Sequence, residues 1–167
     1  MLILKICYTF VSTKQTNSIN LKKEVIMEKE RVKAIANEIN RQIMWSIDNY
    51  IYWSWGCDLK YYCQYQGMVT LVLRVSGCLH KGFVYISLNE GSDSYDIRIT
   101  KAKRGGKPNE ENLELVRQDV YADELGQVLD GIIERKPDWN DEEYQDAAQA
   151  DSTAKGFPLF GIKKFDK

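Results

Sequence analysis

One stripe of side chains limits what this chain can become. Val32, Ile35, Ile39, Ile43, Ile47 and Ile51 recur at steps of three or four residues. That spacing puts all six on one side of a helix running from Glu28 to about Tyr50. Lys33, Asn37, Arg41 and Asp48 fall on the opposite side. Glu28 and Glu30 suit the positive end of the helix dipole. A helix with one apolar side must bury it, so the rest of the chain has to supply a complementary surface.

That surface is written at a different period. Four segments follow, with strand composition and alternation: Leu59 to Gln66, Met68 to Ser76, Gly82 to Leu88 and Tyr95 to Lys103. Turn chemistry separates them at Gln66-Gly67, at Gly77 to Lys81 and at Asn89 to Ser94. Connections this short make antiparallel neighbours, so the sheet is a meander. Gly105-Gly106-Lys107-Pro108-Asn109 interrupts the pattern. A fifth short strand is expected at Leu113 to Arg117. A second helix spans about Ala122 to Arg135, with Leu125, Val128, Leu129, Ile132 and Ile133 inward and Pro137 ending it.

The predicted fold is therefore α+β. An amphipathic helix leads into a meander of four or five strands and a second helix, with both helices on one face. An acidic, flexible C-terminal tail follows. At 167 residues and 44% hydrophobic, one domain with a real core is expected. The domain boundaries are read as 27–136, with a tail over 137–167. Asp138, Asp141, Glu142, Glu143 and Asp146 predict a solvated stretch, with room for a helical turn.

Residues 1–26 are read as an unstructured or mis-assigned leader. Thr13 to Asn20 support no periodic element. One codon choice for Lys22-Lys23-Glu24-Val25 resembles a bacterial ribosome-binding site just before Met27. Translation from Met27 is the expectation, and intact-mass measurement of native protein tests it. No run reaches the roughly 18 to 20 apolar residues of a membrane span. Four cysteines, one of them (Cys7) in the leader, argue against a disulfide framework and for a reducing, cytoplasmic setting. The net charge of −1 excludes a global basic field for nucleic acid, though not a local patch.

Candidate chemistry is sparse. Cys57, Cys63, Cys78 and His80 match zinc ligands by type, but not by the usual paired spacing. Cys78 and His80 lie two apart on a strand-like stretch without a third, orienting group. Glu90, Asp93 and Asp96 have the composition of a tight turn. No nucleophile elbow and no phosphate-cradling loop occurs. The expectation is a protein that is not an enzyme and has neither metal nor cofactor.

The meander suggests contact chemistry instead. If two helices cover the aliphatic face, the other face carries Arg74, Phe83, Tyr85 and Arg98, with Lys101, Lys103, Arg104 and Lys107 beyond it. Tyr, Phe and Arg are enriched in protein interfaces. Aromatics with arginines on an open sheet also stack the bases of a single strand. The tail adds Phe157, Phe160 and Phe165, which either dock on the domain or bind a partner. The first expectation is a small adaptor that binds another protein or its own copy; the alternative is a single-strand nucleic-acid binder. The order of elements over about Leu59 to Arg135 resembles, in topology alone, one repeat of the PUR-alpha and Whirly folds. That resemblance implies single-strand binding. An enzyme would need a deep polar pocket near His80, Cys78 and Glu90.

Overall fold

The computed structural model describes the backbone of residues 2–155 and 163–164 and the side chains of residues 23–155. The chain divides into two compact units, Met1–Ala34 and Ile35–Lys167. Helix α1, Leu2–Ser46, makes up the first unit and continues into the second. Residues 2–26, the described part of the expected leader, have helical backbone. Val25, Ile26 and Met27 are exposed on α1.

The second unit opens with the end of α1 and the short helix α2, Asn49–Ser54. The predicted stripe crosses a break between them. Asp48 is extended, and its carbonyl restarts the ladder by accepting the N–H groups of Ile51 and Tyr52 at 3.1 and 3.2 Å. Aspartate competes poorly inside helices, so the chain bends there while the apolar spacing continues. Gly56, at φ +58°, then turns the chain into the sheet.

The sheet is the predicted meander: β1 Leu59–Tyr65, β2 Met68–Ser76, β3 Lys81–Asn89, β4 Ser94–Thr100 and β5 Glu114–Val120. Its spatial order is β5-β4-β3-β2-β1, with the two-residue strand β6, Lys163–Lys164, added parallel to Tyr61–Tyr62 of β1. Gln66 and Gly67, both at positive φ, close the first hairpin and set Tyr65 opposite Met68. A 3-10 turn at Glu110–Asn112 leads into β5. Helix α3 spans Leu125–Ile133.

The aliphatic face packs as predicted. Leu71, Leu73, Val84, Ile86 and Ile97 are fully buried with Ile39 and Ile43 of α1, Trp55, and Leu125, Leu129 and Ile133 of α3. The acidic run after Pro137 departs from the tail reading. It starts a four-turn helix, α4, over Asp141–Lys155. Its acidic residues do face solvent, but Tyr144 and Ala148 are buried. Three acids in the first turn favour this helix through its dipole. Among the described residues no helix is long and apolar enough to cross a membrane.

Candidate functional site

Strand register joins the predicted face residues into rows. Tyr61, Val72, Tyr85 and Arg98 stand side by side across four strands. Arg74, Phe83 and Thr100 form the next row, and Thr70, Ser87 and Asp96 the one on the other side. The sequence thus placed Arg74, Phe83, Tyr85 and Arg98 on a common face.

The expectation that this face stands open is corrected. Phe83 and Tyr85 have no exposed surface, and Arg98 keeps 9%. Tyr61, Val72, Phe83 and Tyr85 form a second hydrophobic cluster, flanked by Leu59, Cys63 and Leu113. Its polar atoms turn to one another. Tyr61 and Tyr85 hydroxyls are 3.4 Å apart, Thr70 and Ser87 hydroxyls 2.8 Å, and Arg98 lies 3.5 Å from Asp96. The Tyr85 hydroxyl also donates to Glu110 at 3.4 Å, and the Arg98 guanidinium covers the Tyr65 ring. Burial pushes the Tyr61 hydroxyl up to about 12. Of the four predicted contact residues, Arg74 is the one left half-buried, held by two 2.6 Å hydrogen bonds to Asp58. Such a face has the chemistry of an interior. Phe157, Phe160 and Phe165 lie outside the described residues.

The other candidates disperse. Cys57 is buried, its thiol pushed by burial up to about 11, and Cys63 is half-buried on the reverse face. Cys78 and His80 part company: the His80 Nε2 meets the Phe83 carbonyl at 3.3 Å, while the Cys78 thiol turns toward Glu134. Cys57, Cys63, Cys78 and His80 therefore do not assemble. Glu90 and Asp93 stay at the hairpin surface, whereas Asp96 is buried beside Arg98.

The helical side holds a cleft of about 460 Å³. It forms because α3 crosses the end of α1 at Gly126. A Cβ there would lie 2.3 Å from Ser46 Oγ, and the Gly126 N–H donates to that hydroxyl at 2.9 Å. One turn on, Asp130 supplies the floor. Its Oδ1 accepts from Trp55 Nε1 at 2.9 Å and its Oδ2 from the Tyr144 hydroxyl, so one buried carboxylate ties α2, α3 and α4 together. Burial raises the Asp130 pKa, and the two hydrogen bonds oppose that rise. Arg135 lies over the Tyr144 ring and pairs with Asp141.

The lining is mixed, with Asp48, Gln127 and Arg135 beside Trp45, Ile47 and Ile51. Trp45 is 75% exposed, with the Arg41 guanidinium 4.4 Å from its ring centroid. Ile47 and Ile51 line the cleft below it. Trp45 lies two positions past Ile43, off the buried stripe, and a tryptophan on a polar helix side was a signal the sequence carried. Asp130 and Glu134 share a four-residue spacing beside the buried Leu129 and Ile133, but nothing local revealed their partners. No protein-family model, curated protein or solved structure matches the chain.

Proposed function

We propose that the protein is a non-catalytic binding protein that engages another protein through its helical side. The carrying observation is Trp45, a mostly exposed indole at the rim of a cleft with a rigid floor. Exposed tryptophans beside arginines are the residues that dominate interface energetics. Ile47 and Ile51 offer a seat for an apolar anchor, and Arg135 a donor for a carbonyl or carboxylate next to it. Asp130 has both oxygens occupied, so its part is to hold the floor.

Full-length wild-type chain and two variants, Trp45→Ala and Leu115→Ala, serve as baits in native extract, with and without nuclease. Leu115 is also exposed, at 42%, but sits on β5 away from the cleft residues. The expected result is a protein partner retained at moderate salt and after nuclease, kept by Leu115→Ala and lost by Trp45→Ala. If the partner is a second copy, the wild-type chain sediments as a dimer and Trp45→Ala as a monomer. Partners unchanged by Trp45→Ala, or lost on nuclease treatment, overturn the reading.

A further inference from the structure

A second cluster lies where the connection from β2 to β3 meets the end of α3. Gly77 approaches that end so closely that a Cβ would lie 2.1 Å from the Ile133 carbonyl oxygen and 2.8 Å from Glu134 Oε2. Only glycine permits this approach. The N–H groups of Leu79 and His80 then both donate to the Ile133 carbonyl, at 3.0 and 3.2 Å. Cys78 is thereby fixed over Glu134. Its backbone N–H donates to Oε2 at 2.9 Å, and its Sγ lies 3.2 Å from Oε1.

Helix α4 completes the group. Asp151 Oδ2 is 3.8 Å from Cys78 Sγ, and the three potential ligand atoms all lie within 4.8 Å of one another. Glu134 is fully buried, while Asp151 is half-buried and Cys78 exposed. The two carboxyl groups therefore lie side by side, one from the end of α3 and one from α4. A cation already sits against them: Lys155 Nζ is 3.2 Å from Asp151 Oδ2 and 3.7 Å from Glu134 Oε2, and donates to the Ser54 carbonyl at 2.6 Å.

We propose that Cys78, Glu134 and Asp151 form a binding site for a zinc-type divalent cation, with a fourth position open to water. Tetrahedral zinc, with bonds of about 2.3 Å to sulfur and about 2.0 Å to oxygen, separates its sulfur and oxygen ligands by roughly 3.5 Å. The two sulfur–oxygen separations here, 3.2 and 3.8 Å, bracket that distance. A thiolate among the donors favours zinc over calcium or magnesium, which take oxygen alone. One buried carboxylate held by a backbone N–H gives the site a fixed floor, and its exposed side gives the ion a path in. Binding releases the proton of the Cys78 thiol, which ligates as the thiolate. Lys155 leaves the carboxylates and keeps its bond to Ser54. The ion then clips the β2–β3 connection to α3 and α4.

The test is calorimetric titration of the full chain with zinc chloride in two buffers of different protonation enthalpy. Cobalt(II) absorption alongside it reports any metal–sulfur bond. The expected result is a single bound zinc with release of the thiol proton, and a near-ultraviolet thiolate band with cobalt. Loss of an outer-shell partner alone costs about 10–100-fold in metal affinity. Loss of a ligand in Cys78→Ser or Asp151→Asn is expected to cost at least as much, with the cobalt band absent from Cys78→Ser. Both residues reach the surface, so both variants fold, whereas Glu134→Gln alters a buried group. No uptake of zinc by the wild-type chain, or uptake that both variants leave unchanged, overturns the proposal. Neither outcome bears on the Trp45 cleft.

Discussion

The two faces of the sheet are both buried, yet they are built differently. One is aliphatic: Leu71, Leu73, Val84, Ile86 and Ile97 pack directly under helices, with no polar group to satisfy. The other mixes Tyr61, Phe83 and Tyr85 with Thr70, Ser87, Asp96 and Arg98; the Tyr61–Tyr85 and Thr70–Ser87 hydroxyls meet across strands, and Arg98 pairs with Asp96 along β4. An aliphatic face declares its burial by composition. A mixed face is ambiguous, because the same tyrosines and arginines make an interface when open and a hydrogen-bonded interior when closed. Exposure decides between them, and exposure is set by segments remote in sequence.

Phe83→Ala breaks or sustains this comparison most sharply. A buried aromatic cut to alanine costs about 3–5 kcal/mol, whereas an exposed contact residue changes stability by about 0.5 kcal/mol or less. Urea unfolding of Phe83→Ala is expected to show the larger loss. A value in the smaller range would return the face to solvent. Ile86→Ala on the opposite face should cost about 2–5 kcal/mol by the same measurement. Similar costs on the two sides would mark two cores on one sheet.

Asp130→Asn sharpens the role of the cleft floor. Asparagine can accept from Trp55 and donate to the Tyr144 oxygen, so the link among helices survives. Burial raises the Asp130 pKa in the folded chain. The folded state therefore holds this proton more tightly than the unfolded one, and the group's contribution is fully present only below its unfolded pKa. It is lost as pH rises through the folded pKa. Unfolding free energies measured across the acid range should show wild type losing stability relative to Asp130→Asn as pH rises through that window. A difference that grows in favour of wild type with pH would contradict the sign.

Tyr85→Phe removes one hydroxyl from the mixed face and leaves the ring. A net loss of about 1 kcal/mol is expected, the usual worth of a buried hydrogen bond. The smallest effect belongs to Trp45→Ala: about 0.5 kcal/mol or less in unfolding free energy, because the indole is mostly exposed. A large destabilisation there would make Trp45 a structural residue and remove the basis for the contact surface.

Much of the architecture was legible beforehand. Met68 to Ser76 matched its strand end to end, and Gln66-Gly67 gave the hairpin turn. The stripe through Ile39 and Ile43 located the helix that covers the sheet. Boundaries failed where a local residue overrode the period, as Asp48 did between Ile47 and Ile51. The segment after Pro137 misled because its acids outnumber the buried Tyr144 and Ala148. Of the functional geometry little was legible. Asp130 meets Trp55 from 75 positions away, and Glu134 meets Cys78 from 56.

The sequence by itself determined the helix beneath the isoleucine stripe, α3, the antiparallel order of the five main strands and which residues share each sheet face. These follow from periods of 3.6 and 2 and from turn residues, all acting within a few positions. Only the tertiary structure decided that the Phe83–Tyr85 face is closed, that a cleft with Asp130 at its floor lies beside Trp45, and that Cys78 finds two carboxylates rather than His80. Each of those depends on which distant backbone comes close enough to exclude water or share a proton, and no local spacing encodes it.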